Sequence, residues 1–119
     1  MVPANLAKWA LLHEADEPLI GDWIAMIKDM PEAAFVGVIA GQIMQLTAKK
    51  YKLEWPIPDE FFIWDKRICS TEMLELMPRT KEVDEHCLRY PPIENLKLRL
   101  FSPSGAAEVF YCQYRNLFQ

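Results

Sequence analysis

The sequence predicts an all-α fold: a compact bundle of about five helices forming one domain over 1–119. Three observations lead there. Apolar residues recur at three- and four-residue spacing in several separate segments, whereas the alternation expected of a strand is confined to the short KLRLF at 97–101. Prolines and capping residues fall between those segments, where helices should begin and end. Finally, 119 residues that are 51% apolar, with four tryptophans and six phenylalanines, can build one hydrophobic core but not two, and are too apolar for disorder.

The first helix is expected in PANLAKWALLHEAD, where Leu6, Trp9, Ala10 and His13 keep the helical period, with Leu12 on the flank. Pro3 suits a first turn, and Pro18 is expected to end the helix because it disfavours the α conformation of Glu17 and donates no hydrogen bond. Asp22 reads as the cap of a short helix over Trp23 to Met30. A long helix follows from about Glu32 to Leu53, carried by Phe35, Val38, Ile39, Gln42, Ile43, Leu46 and Tyr51. On it Gly37 and Gly41 read as a site of close helix packing. EWPIPDE is a linker, and Asp59 can cap a helix from about Glu60 to Met77, with Phe61, Trp64, Ile68, Cys69, Leu74 and Leu76 packing. From Arg79 to Leu100 no period is evident, so a loop with a short helical turn is expected there. Ser102 or Ser104 caps a closing helix whose packing surface would be Val109, Phe110, Cys112, Tyr114 and Leu117.

Composition narrows the function. A net charge of -4 argues against sequence-independent binding to nucleic-acid backbones. Three widely spaced cysteines (Cys69, Cys87, Cys112) form no CxxC pair, which excludes a zinc finger and a disulfide framework. No apolar run approaches the roughly 20 residues of a membrane span, and MVPANLAKW lacks the basic start of a signal peptide. A reduced, cytoplasmic protein is expected.

Chemistry-bearing residues gather in two places. In LLHEADEPLIGDW, His13 and Glu17 lie one turn apart on a helix, with Glu14 beside His13. An imidazole next to carboxylates suits a divalent ion, and a carboxylate one turn away can hold or deprotonate a water. The same residues also read as an ordinary solvated helix end. In FFIWDKRICSTEMLELMP, Asp65 follows four apolar residues, an expensive place for a carboxylate unless it is paired or metal-bound. Glu72 lies two turns on, with Cys69 between them as a packed thiol. A pairing of Asp65 with Lys66, Arg67 or a more distant base is the plain alternative. His86 lies in the aperiodic stretch, and the more direct picture leaves it out of the site.

Together the two stretches resemble the HD-domain phosphohydrolase superfamily, in particular its small bacterial and phage nucleotide-hydrolase branch. There one helix carries LLHDAxEAYxGDxxxPxK; here Leu11 to Asp22 runs LLHEADEPLIGD, with Lys28 at the place of the lysine. A later helix of the branch carries an aspartate and then TExxxLMP; here Asp65 precedes Thr71 to Pro78, TEMLELMP. FSPSGAAEVFYCQYRNLF is similar to its closing helix. The resemblance implies that His13, Glu14 and Asp65 are metal ligands, and that Glu17 positions or activates the attacking water. It implies that Lys28 contacts substrate phosphate, with Asp22 and Glu72 on the substrate side. The cofactor would be a divalent metal (Mn, Mg, Co, Ni or Zn), weakly held, and the substrate a nucleoside phosphate, often in the deoxy form.

Two departures from the pattern bear on the metal. The pattern's first ligand histidine stands on an upstream helix, and none of the residues before His13 is histidine. On this reading the chain is N-terminally shortened. Glu14 replaces the pattern's aspartate, which displaces the carboxylate by on the order of 1.5 Å. Pro18 and Met26 also differ from the pattern. Three functions therefore remain open: a metal-dependent nucleotide phosphohydrolase; a catalytically dead HD-like domain that binds a nucleotide or a protein partner, as a phage or mobile-element modulator would; and an oligomerising helical domain with merely solvated acids. A homodimer is expected to cover apolar surface, with Trp9, Trp23 and Phe35 as the candidates for that surface.

Overall fold

The computed structural model describes residues 2–119, the side chain of Ala25 excepted. Among the described residues it is all α, with no strand: α1 (Ala7–Leu12), α2 (Glu17–Ile20), α3 (Ala25–Lys28), α4 (Ala34–Tyr51), α5 (Asp59–Leu76), α6 (Lys81–Arg89) and α7 (Pro103–Phe118). Short 3-10 turns at Ala4–Leu6 and Pro31–Ala33 lead into α1 and α4. No described helix is long and apolar enough to cross a membrane.

The N-terminal region is more broken than its periodicity predicts. α1 ends at Leu12, and the chain crosses 13–16 on tighter bonds, the Ala15 N–H donating to the Leu12 carbonyl and the Glu17 N–H to that of Glu14, both at 3.1 Å. Pro18 ends no helix. It sits in the first turn of α2, where a missing N–H costs nothing and the fixed φ is already helical. Gly21 closes α2 at φ +85°, a conformation open to glycine, and the Trp23 indole donates to the Ile20 carbonyl (2.8 Å) across that corner. The helix expected over Trp23 to Met30 is only α3. Its first bonds run back to the Ile24 carbonyl, so the helix starts beyond Asp22 and Trp23.

α4 and α5 match their expected spans to within two residues. Lys52 ends α4 in the left-handed region (φ 54°). No side chain caps α5; Asp59 and Glu60 stand in its first turn, where their charge suits the helix dipole. Gly37 and Gly41 mark no close approach: a Cβ at either would meet nothing within 4 Å. Where a loop was expected after Arg79, α6 forms instead. Its signals were local and present: Thr80 accepts the Val83 N–H (3.3 Å), acids fill the first turn, and His86 and Arg89 end it. Ser102 caps α7 through the Gly105 N–H (3.2 Å). Of the expected packing surface of α7, Val109, Phe110 and Cys112 are exposed, whereas Tyr114 and Leu117 are half-buried, Tyr114 lying edge-on to Tyr51.

One core cluster joins the ends of the chain's long elements: Leu6 and Trp9 from the first segment, Met44 and Ala48 from α4, and Phe61 from α5. Trp9 is 2% exposed, so it belongs to this core and not to a dimer surface. Its indole N–H donates to the Glu54 carbonyl at 3.0 Å, which ties α1 to the 53–58 connection. At the far end, α5 straps down the backbone of 90–93. The Ser70 hydroxyl donates to the Tyr90 carbonyl (2.6 Å), Arg67 Nε to that of Pro91 (2.8 Å), and the Ile93 N–H donates to Thr71 Oγ1 (3.0 Å). Ser70 and Thr71 are buried polar groups that are fully paired.

Two stability changes should follow, both measured by urea unfolding. Trp9→Ala should cost about 3–5 kcal/mol, as large aromatic truncations in a core do. Thr71→Val, which keeps the shape but leaves the Ile93 N–H unpaired, should cost about 1–3 kcal/mol.

Candidate functional site

Two helical ladders meet at the site. On the first, Trp9 and His13 are one turn apart, and the His13 N–H closes the last bond of α1 onto the Trp9 carbonyl (2.8 Å). On the second, Phe61 and Asp65 are one turn apart on α5. Trp9 and Phe61 share the core, so the next rung brings His13 against Phe61 (ring centroids 4.9 Å) and against Asp65. His13 Nε2 lies 3.5 Å from Asp65 Oδ1 and 3.6 Å from Glu14 Oε1.

The other ring nitrogen fixes the imidazole. His13 Nδ1 lies 3.2 Å from the Ala10 carbonyl; with the proton on Nδ1 it donates there, and the Nε2 lone pair faces both carboxylates. Separations of 3.5 and 3.6 Å are long for hydrogen bonds. They are close to the roughly 3.4 Å between two ligands that each sit about 2.1 Å from one ion at a tetrahedral angle. His13 thus makes two pairs. Among the described residues, however, no group of three His, Cys, Asp or Glu side chains is placed to hold a common ion. Asp65 is also not the buried carboxylate its neighbours predict. Its side chain is 45% exposed, and two of the apolar residues before it, Phe62 and Ile63, are themselves exposed.

Glu14 connects this pair to a second feature. With Glu17, Leu11, Leu12, Pro18 and Phe110 it lines an open cavity of about 430 Å³ between the α1–α2 corner and α7. The carboxyl of Glu17 is pushed above its ordinary value, first by partial burial, then by the charges of Glu14 and Asp22; Lys28 pulls it down, and Asp16 adds a smaller push upward. Asp22 and Lys28 are therefore near enough to Glu17 for their charges to act on it. Glu72 stands apart from them. It is exposed on α5, and its charge acts on Cys69, whose thiol is raised by burial first and by Glu72 and Asp65 next, as suits an inert packed thiol. His86 turns to the Lys66 carbonyl (3.4 Å) and the Tyr90 ring, and does not join His13.

Two contributors escape a reading of the sequence. Phe61 as the surface under His13 had a signal, since it precedes Asp65 by the same four residues that separate Trp9 from His13. Phe110 as a cavity wall had none, because only the packing of α7 on α1 brings it there. Compared with protein-family models, with curated proteins and with solved structures, the chain matches none.

The raised Glu17 carboxyl gives a pH test. A carboxylate whose folded pKa lies above its unfolded value makes the fold less stable as pH rises past the ordinary value of 4.5. Glu17→Gln should therefore raise Tm at neutral pH. That gain should fade as pH falls through the raised folded value toward 4.5 and below, where both states are protonated, in thermal melts of the two proteins across that range.

Proposed function

We propose that this chain is a metal-dependent phosphohydrolase of the HD type, acting on a nucleoside phosphate. The observation that carries the reading is the placement of His13 Nε2 between the carboxylates of Glu14 and Asp65, one from its own helix end and one from α5. An imidazole and two carboxylates are ligand types suited to Mn, Mg, Co, Ni or Zn, and an ion would have to draw the three together, because they are not placed to hold one as they stand. A divalent ion held by His13, Glu14 and Asp65 would supply Lewis-acid polarisation of a phosphoryl oxygen and a water of lowered pKa.

The remaining roles fall to the chain's own groups. Glu17, its carboxyl raised above its ordinary value by burial and by Glu14 and Asp22, accepts the proton of the attacking water. Lys28, close enough to influence Glu17, attracts the phosphate oxygens. Leu11, Leu12 and Phe110 give the cavity an apolar wall suited to the face of a nucleobase, in a volume within the usual range for small-molecule sites. Glu72, exposed on α5 beside Cys69, has no assigned role in this arrangement.

A second reading has its own support: a nucleotide-binding domain without turnover. It is favoured by the absence of a three-ligand group among the described residues and by glutamate at position 14. One experiment separates the two. The protein is stripped with chelator, then melted with each metal, with and without a panel of deoxynucleotides, and assayed for phosphate release. A ligand at about a hundred times its Kd stabilises by about 2.7 kcal/mol, several degrees in Tm. The phosphohydrolase reading expects a metal-specific rise, lost in both His13→Ala and Asp65→Ala, together with phosphate release. A nucleotide shift without metal dependence or release selects the silent binder, and no shift with any combination removes both.

A further inference from the structure

α4 carries no charged side chain from Ala34 to Ala48. One side of it is buried through Val36, Met44 and Ala48. The opposite side is equally apolar: Phe35, Val38, Ile39 and Leu46 form a single stripe at helical spacing and are exposed by 59%, 62%, 41% and 66%. A helix that is apolar all round belongs in an interior, and here half of it faces water. The stripe continues onto the preceding corner, where Ile20, Trp23, Phe35, Val36 and Ile39 line an apolar notch of about 200 Å³, and Leu19 and Met26 project beyond it.

The accessible surface of the chain, 9082 Å², exceeds by about 2,400 Å² the roughly 6,700 Å² of a folded monomer of this length. Stable homodimers bury about 1,000–2,500 Å² on each partner, so the excess is what one such interface covers.

We propose that the α4 stripe is a homodimer interface in which α4 packs antiparallel on α4 of a second copy about a two-fold axis near Ile39 and Gln42. The ends of the stripe say why the occupant is a second copy. Glu32 precedes the stripe and Lys49 follows it; both are exposed, and neither has an ion-pair partner among the described residues. Antiparallel pairing sets Glu32 of each copy against Lys49 of the other, aligns opposed helix dipoles, and places Phe35 of each across from Leu46 of the other. The charges and the apolar stripe share one midpoint, so a single two-fold axis satisfies both. Gln42, exposed within the stripe, lies beside that axis as an uncharged polar group able to pair with its own copy across it. This interface is independent of the chemistry proposed at His13.

The test is the solution mass by light scattering, with circular dichroism to check folding. The wild type should have the mass of two chains at micromolar concentration. Val38→Glu and Leu46→Lys, both at exposed positions, should each give a helical protein with the mass of one chain. Leu88→Glu, on the exposed face of α6, should leave the dimer intact. A wild type with the mass of one chain overturns the proposal and leaves the stripe to a different protein. A dimer that survives both Val38→Glu and Leu46→Lys also overturns it, by placing the contact elsewhere.

Discussion

The burial of Trp9 where the first segment, α4 and α5 meet is the contact on which the rest of the structure depends. Its indole fills the space between Met44, Ala48 and Phe61, and its N–H satisfies the Glu54 carbonyl in the connection that carries the chain from α4 to α5. That one side chain therefore sets both the spacing of the three elements and the angle at which α1 approaches α5. α1 is only six residues long and could not hold a helical conformation alone. The core contact holds it.

The site follows from this anchor by helical geometry. His13 is one turn beyond Trp9, and Asp65 one turn beyond Phe61, so packing the first pair presents the second. The imidazole then has four neighbours with three different effects: a carbonyl that orients it, a phenyl ring that supports it, and two carboxylates that face it. Both carboxylates are solvated, so the bare pairs add little to stability. Their value lies in position. The two ladders also explain why α5 is held at both ends, by Phe61 in the core and by Arg67, Ser70 and Thr71 against the backbone of 90–93. Rotation of α5 about its axis would carry Asp65 away from His13, and the paired hydroxyls of Ser70 and Thr71 resist it.

The core that does this work is small. The buried apolar side chains are Leu6, Trp9, Leu12, Ala33, Val36, Met44, Ala48, Phe61 and Val83 among the described residues. Much of the aliphatic and aromatic content lies outside it, on α4, on the α2–α3 corner and on α7. Hydrophobic stabilisation scales with area removed from water, so a chain that leaves this much apolar surface exposed gains from covering it. α4 has the longest uncharged run in the chain and the most to gain.

By itself the sequence determined the helical class, the spans of α4 and α5, a serine cap for α7 at Ser102 or Ser104, and the two clusters of chemistry-bearing residues. Each of these rests on local periodicity or on a cap read within a few residues. The same local rules also contained α6, in the Thr80 cap and the charge order from Glu82 to Arg89, where the scarcity of apolar residues hid a helix that needs only Val83 buried. The break at Leu12 was not legible, because the tertiary anchor at Trp9 competes with continued α-helix and the chain takes tighter turns to reach Pro18. Only the tertiary structure decided that Trp9 is core while Phe35 faces water, that Asp65 is solvated, and that Phe110 meets the α1–α2 corner. Periodicity states which residues share a face of a helix. Which of two apolar faces of α4 is covered, and by what, depends on partners distant in sequence, and no local pattern carries that information.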